Sequence, residues 1–233
     1  MLERGNMNKN DRALLLGMLL GDGCLKAKPH ILQDGSKTFY YEYVLCHSTK
    51  QEDYLTYKRD LFHSIMGGKL PRLSYYNGKL GNSVRFSRCH RSFRFLHRHL
   101  YAKNFTKTIT RRVLNCLTPE AIAIWYMDDG GLKPSYNRLG QISSCQTTLS
   151  TYCSAEQADI IIDYFREVWN IEWKRRLHKK SNSYYLILST TEGKKFERLV
   201  SPHIIPSMSY KILSNRVTRV PDTLPEKKGD DMI

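Results

Sequence analysis

The sequence predicts an α+β fold: two pseudo-symmetric αββαββα halves, each carrying an antiparallel sheet, joined at two buried, packed helices. Three observations predict it. Residues 10–23 (NDRALLLGMLLGDG) and 118–131 (TPEAIAIWYMDDGG) are apolar nearly all round, and both run into an Asp-Gly pair. Each is followed by the same order of strand-like and helix-like segments over about 100 residues, the mark of an internal duplication. The strands alternate basic or hydroxyl side chains with apolar ones, so one face of each sheet is polar and the other packs under helices. The chain has 233 residues, 41% of them hydrophobic, with 3 Trp, 15 Tyr and 8 Phe. That supplies one large core or two small ones and excludes a disordered chain.

In chain order, the first buried helix has Asn10 or Asp11 as its N-cap and Gly23 as a left-handed stop. Strands follow at 24–32 and 38–47 around the turn-forming QDGSK. Tyr54, Leu55, Lys58, Leu61, Phe62 and Ile65 recur at helical spacing, which predicts a helix over 50–66. Strands at 69–76 and 80–88, joined by the Tyr-Asn-Gly-Lys turn at 76–79, and a basic helix over 90–102 complete the first half. Thr118 caps the second buried helix, Pro119 takes its first position, and Gly130 and Gly131 end it. The programme then repeats: strands at 132–136 and 138–147, a helix at 154–169, strands at 172–179 and 183–190, and a helix at 192–200. The expected division is a first half over 1–112, a second over 113–220, and a loose tail rich in proline and charge over 221–233.

Charge narrows the partner. Lys and Arg number 37 against 22 Asp and Glu, a formal net charge of +15. Between Asp60 and Glu120 there is no acid at all, while Lys69, Arg72, Lys79, Arg85, Arg88, Arg91, Arg94, Arg98, Lys103, Lys107, Arg111 and Arg112 fall there. Such a field suits a phosphate backbone. Lys26, Lys28 and His30 share a face of the first strand, Arg72 and Ser74 one of the third, and Ser83, Arg85 and Ser87 one of the fourth. Lys174, Arg176 and His178 repeat the pattern in the second half, where Tyr136 and Arg138 join the candidate binding set. Val84 and Phe86, or Trp173 and Leu177, supply the opposite, packed faces. A basic sheet face of this kind can lie in a DNA major groove and read base edges. No apolar run reaches membrane-spanning length, the N-terminus has no signal-like apolar core, and the six cysteines form no CxxC pairs, which points to a reducing, intracellular setting.

Asp22 and Asp129 stand at the C-terminal ends of the two buried helices, directly before glycine. A carboxylate there faces the negative helix end, at a cost of about 0.3–1 kcal/mol. Two such residues at matching points of a duplicated unit converge if the helices pack side by side. Like charges brought together need a cation, and hard oxygen ligands point to Mg²⁺ or Mn²⁺. A divalent-metal site beside a basic sheet is the constellation of a nuclease.

Leu15-Leu16-Gly17-Met18-Leu19-Leu20-Gly21-Asp22-Gly23 resembles the nonapeptide of the LAGLIDADG homing endonucleases. Ile122-Ala123-Ile124-Trp125-Tyr126-Met127-Asp128-Asp129-Gly130 is similar to the second copy of the monomeric members, departing from it at Ile124 and Asp128. Gly17 and Gly21 supply the small surface on which two such helices meet. The resemblance implies a monomer that cuts double-stranded DNA at a long, asymmetric site and leaves short 3′ overhangs. It assigns divalent metal to the carboxylates of Asp22 and Asp129 and the backbone carbonyls of Gly21 and Asp128. Ile204-Ile205-Pro206-Ser207-Met208-Ser209-Tyr210-Lys211 and Asn104-Phe105-Thr106-Lys107-Thr108-Ile109 are similar to the segments that close each half, which makes Lys211 and Lys107 catalytic candidates. Cys46-His47-Ser48 and Cys145-Gln146-Thr147 look like the strand ends where the family often has Gln-Ser, so His47 and Gln146 would be pseudo-equivalent positions near attacking waters. An RNA maturase acting on intron RNA and a non-catalytic DNA-binding regulator remain the alternatives. Retention of both Asp22 and Asp129 favours cleavage.

Overall fold

The computed structural model describes residues 7–78, 81–101 and 106–214. The expected tail at 221–233, Lys79 of the expected turn, and Asn104 and Phe105 lie outside the described residues. Two helices form the centre. The first, α1 (Lys9–Leu20), is capped by Asn8, whose Oδ1 accepts from the Asp11 amide at 2.8 Å. The cap therefore falls earlier than Asn10 or Asp11. Its counterpart α5 (Pro119–Asp129) starts as expected, with Thr118 Oγ1 accepting from the Ala121 amide at 3.3 Å and Pro119 in the first turn. From Ala13 to Leu20 and from Ala121 to Met127 every residue is buried, which is why neither helix shows a polar stripe.

The glycines that follow these helices are not left-handed stops. The residue capping α1 is Gly21 at φ −80°, α5 gives way at Gly130 at φ −79°, and neither Gly23 nor Gly131 has positive φ. They are required by close approach instead. A Cβ on Gly17 would run into the backbone carbonyl of Ala121, and one on Gly21 into the side chain of Asp128. The helices therefore meet through α1 glycine positions, with the Ala121 backbone against Gly17.

Around this pair each half builds one four-stranded antiparallel sheet. The first contains β1 (Cys24–Ile31), β2 (Lys37–Ser48), β3 (Ser74–Gly78) and β4 (Gly81–Cys89), in the order β1-β2-β4-β3. Between β2 and β3 lies α2 (Glu52–Met66), and α3 (Phe93–Leu100) follows β4. Tyr43, Leu45, Val84 and Phe86 point under these helices, where Tyr43 stacks on Phe62 with ring centroids 4.7 Å apart. A short helix that the sequence pattern did not announce, α4 (Arg111–Leu114), leads into α5. The second half repeats the plan with β5 (Gly130–Tyr136), β6 (Ile142–Cys153), α6 (Ala155–Trp169), β7 (Lys174–His178), β8 (Ser183–Leu188) and α7 (Thr190–Val200), its sheet running β5-β6-β8-β7. Phe165, Trp173 and Phe196 form its aromatic core, with Leu149, Leu186 and Leu188 beneath.

Several strand boundaries depart from the sequence pattern. Ladder pairing in β3 begins at Ser74, so Arg72 lies outside it; the nearby Pro71 has no N–H to donate to a ladder. Residues 137–141 form a turn in which Asn137 Oδ1 accepts from the amides of Leu139 and Gln141, both at 2.9 Å, and Arg138 belongs to that turn rather than to a strand. Leu177 is 46% exposed and does not pack under the helices. Towards its end β6 holds three residues between the pairs Leu149–Leu186 and Cys153–Tyr184 where β8 holds one, and Tyr152 adopts φ 43°. Among the described residues no helix is long and apolar enough to cross a membrane.

The helix contact generates a direct test. Gly17→Val places two methyl groups against the Ala121 backbone, which has no rotamer by which to yield. Overpacking of this kind is expected to lower stability by about 1–3 kcal/mol, read as a shift in the urea midpoint. A midpoint unchanged from the parent would mean that the helices do not depend on this approach.

Candidate functional site

At the paired ends of α1 and α5 the structure gathers three carboxylates and three ammonium groups. Asp22 lies just beyond α1 with 44% of its side chain exposed, whereas the Asp128 side chain is fully buried. Asp128 crosses to the other half: its Oδ2 accepts the Asp22 amide at 3.0 Å and its Oδ1 pairs with Lys58 Nζ at 2.6 Å. The third acid, Asp129, accepts from Trp125 Nε1 at 3.1 Å. His47, buried on the helix-facing side of β2, sets Nδ1 3.6 Å from Asp22 Oδ2 and Nε2 4.0 Å from Asp128 Oδ1.

The two candidate lysines take equivalent posts. Lys107 Nζ donates to the carbonyls of Gly21 at 2.9 Å and Gly23 at 3.3 Å, and Lys211 Nζ to those of Met127 at 2.5 Å and Asp128 at 3.1 Å. Each ammonium thus neutralises the negative end of its own half's central helix. The carbonyls of Gly21 and Asp128, expected as metal ligands, are hydrogen-bond acceptors for these lysines. A carbonyl has a second lone pair, so the contact does not remove their capacity to bind a cation.

Burial and crowding shift the ionisations. Desolvation, then Asp128 and Asp22, push the Asp129 carboxyl up to about 7. Desolvation and Asp128 also raise Asp22, opposed by Lys58, Lys211 and Lys107. His47 is pushed down to about 4, first by burial and then by the Lys58 ammonium. The three lysines are lowered by burial and supported by the acids. Asp22, His47 and Asp128 each bring a ligand atom within 4.8 Å of the others. Asp22, Asp128, Asp129, His47, Lys107 and Lys211 lie together at the helix ends, where the side chains that group as ligands are Asp22, His47 and Asp128 rather than the Asp22 and Asp129 pair, and Lys58 joins them. It was visible in the sequence as the one charged residue on the apolar stripe of its helix.

Gln146 does not converge. The residue two after Asp22, Cys24, pairs with Val44, and the residue two after Asp129, Gly131, pairs with Thr148. Counted from these pairs, the register counterpart of His47 is Thr151. Gln146 instead opposes Lys133 on the outer sheet face, five residues and about 17 Å of strand before Thr151.

The outer faces carry the expected basic residues. Lys26, Lys28 and His30 line one face of β1, and Ser74, Ser83, Arg85 and Ser87 continue it across β3 and β4. Arg85 lies 4.5 Å over the ring of Tyr76, and Lys28 is paired with Glu42. Lys174, Arg176 and His178 share the corresponding face of the second sheet, with Tyr136 60% exposed at a bulge near its edge. Lys133, 4.7 Å over the ring of Tyr185, belongs to this face as well, and the alternation along β5 could have identified it.

A family model described as the LAGLIDADG DNA endonuclease family matches residues 12–196. Protein RecA of Mycolicibacterium chitae is 30% identical over 208 residues, covering 86% of this chain and 45% of that protein. Cytochrome b mRNA maturase bI2 of Saccharomyces cerevisiae is 28% identical over 223 residues, covering 89% of this chain and 48% of that protein. The chain spans about half the length of these two relatives. Probable intron-encoded endonuclease 1 of Wickerhamomyces canadensis is 27% identical over 214 residues, covering 90% of this chain and 86% of that protein. Among solved structures, the homing endonuclease I-WcaI bound to its DNA recognition sequence matches the fold with a TM-score of 0.68 at 24% identity, covering 89% of this chain and 87% of that one.

Asp129 and His47 make opposite contributions to stability against pH. The Asp129 carboxyl, 3.8 when unperturbed and about 7 when folded, stabilises the fold fully below about pH 4, and that contribution is lost as pH rises to 7. The His47 imidazole, 6.5 when unperturbed and about 4 when folded, contributes stability above pH 6.5 that is lost as pH falls to 4. In EDTA, Asp129→Asn is expected to leave a stability that rises more steeply with pH between about 4 and 6.5, and His47→Gln one that falls more steeply between about 4 and 7. Urea unfolding of both variants across this range checks the signs. Parallel shifts of the two variants would contradict them.

Proposed function

The chain belongs to the LAGLIDADG DNA endonuclease family, and on that premise we propose that it is a site-specific double-strand endonuclease that works as a monomer and leaves short 3′ overhangs. The observation that carries the reading is the cluster of Asp22, Asp128 and Asp129 at the joined helix ends, between two sheets with basic outer faces. A regulator that only binds DNA has no use for buried carboxylates held against their own repulsion.

The donor set fits a hard divalent cation, Mg²⁺ or Mn²⁺. The carboxylates on offer are hard oxygen ligands, with the His47 imidazole as the nitrogen within reach, and burial together with mutual repulsion raises the Asp22 and Asp129 carboxyls. Asp22 and Asp129 would hold it. When bound, such an ion supplies Lewis-acid polarisation of phosphate oxygen and lowers the pKa of water. Lys107 and Lys211 keep the helix-end carbonyls fixed and bring positive charge to where the phosphorane-like transition state is most negative. His47, held neutral at physiological pH by its lowered pKa, offers an imidazole beside Asp22 that can orient a water by hydrogen bonding. The outer faces position the duplex through Lys26, Lys28, Arg85, Lys174 and Arg176.

Selection of cut molecules from a randomised duplex library in Mg²⁺, with EDTA as control, tests the activity. No cut product in any metal would refute it. Once a target is in hand, Asp22→Asn and Asp129→Asn are each expected to abolish double-strand cleavage while leaving the binding constant within a few-fold, measured by gel shift. Cutting at the parental rate by either variant would remove that residue from the site.

The size of the site follows from the strands. About eight residues of each sheet at about 3.3 Å span seven to eight base pairs, so one chain should protect at least about 15 pairs of a non-palindromic site. Footprinting checks this, and protection of fewer than about ten pairs, or of a palindrome by two chains, would contradict the two-sheet arrangement.

A further inference from the structure

Among the differences between the two halves at the helix ends, one pair of positions is coupled. Where the first half has Gly21, one residue before its acid, the second has Asp128. Where α6 has Ile161, the seventh of its fifteen residues and fully buried, α2 has Lys58, the seventh of fifteen and equally buried. Neither substitution is tolerable alone. Asp128 without Lys58 would be a buried carboxylate without a counter-ion, and Lys58 without Asp128 a buried ammonium without one. Gly21 provides the room, since a Cβ there would occupy the space taken by the Asp128 carboxylate.

The pair acts on one half only. Helix α1 stops at Leu20, two residues before Asp22, and the Asp22 amide is held by Asp128 Oδ2 at 3.0 Å. Helix α5 runs on through Asp129, so that acid is held by its own helix and by Trp125. One acid is therefore positioned by a cross-half chain, Lys58 to Asp128 to the Asp22 amide, and the other is not.

We propose that Lys58 is a positioning residue for Asp22 alone, and that the two strand-cutting centres are consequently unequal, the one at Asp22 held in place by the Lys58–Asp128 pair and the one at Asp129 held by its own helix and Trp125. The strand assignment rests on the endonuclease reading above; the positioning of Asp22 does not.

Two measurements test it, in Lys58→Met and in the double variant Lys58→Met/Asp128→Asn, which removes both buried charges at nearly constant shape and so guards against a fold lost to one unpaired charge. The first needs no substrate. Amide hydrogen exchange at Asp22 should accelerate in Lys58→Met, and also in the double variant, in which the weaker neutral amide replaces the carboxylate, while exchange at Asp129 stays at the parental rate. Unchanged protection at Asp22 in both variants, or equal acceleration at both acids, would overturn the proposal. The second is single-turnover cleavage of a target labelled separately on each strand. One strand should slow by about 10²-fold, the scale of an ångström-sized displacement of a reacting group, and the other should remain within a few-fold, so that nicked duplex accumulates. Equal loss on both strands would show a merely structural role and overturn the proposal. If the parent itself cuts no duplex, the endonuclease reading fails, and the exchange result still decides whether Lys58 positions Asp22.

Discussion

The structure depends on how closely α1 and α5 approach each other. On α1 the contact is made by positions with no side chain, so the Ala121 backbone and the Asp128 carboxylate come right up to the helix. That one packing brings two helix ends, two negative dipole ends and three carboxylates into the same small volume. Left alone, such a concentration of negative charge would push the helices apart. Lys58, Lys107 and Lys211 oppose it, two of them through main-chain carbonyls and one through a buried ion pair. A buried pair of this kind adds little net stability over an apolar one, but removing one partner is expensive, about 3–5 kcal/mol.

From this centre the sheets extend with their polar faces outward, and here the physics is much simpler. The inner face of each sheet is fixed by rings and branched aliphatics packed under helices, such as Tyr43 on Phe62 and Trp173 on Phe196. Alternation then leaves Lys, Arg, Ser and Tyr on the other side without any further specification. The outer faces can therefore change their chemistry without disturbing the core, whereas the helix ends cannot. Reading surface and reacting centre are built from the same strands and helices but under opposite constraints.

These constraints also decide what the sequence disclosed. Element order, both buried helices and the basic faces at Lys26, Arg85 and Arg176 were legible, because periodicity is a property of side chains alone. Backbone decisions were less so. Asn8 rather than Asn10 caps α1, and the glycines after both helices serve close approach rather than a left-handed turn, which no local pattern distinguishes. Arg72 and Arg138 fell outside strands because Pro71 and the Asn137 side chain end the pairing early. Gln146 was misplaced by a register error of five residues, an odd shift that also puts it on the outer face while His47 lies on the inner one. Lys58 was legible and passed over: a lysine on a buried stripe has to meet a carboxylate, and Asp128 had been given a role only through its backbone carbonyl.

The mutual dependence of Gly21 and Asp128 has a consequence for the ancestry written into the duplication. A chain of this plan can arise by fusing two copies of a homodimeric precursor, whose subunits are interchangeable by definition. Here the copies have parted. Two first halves brought together would set Gly21 against Gly21 and bury two Lys58 ammoniums without the Asp128 carboxylate that each pairs with here. Two second halves would drive Asp128 against Asp128 with Ile161 where a counter-ion is needed. Each half now carries only one side of a complementary contact, so neither can return to self-association, and the covalent link between them has become irreversible in evolution as well as in the chain.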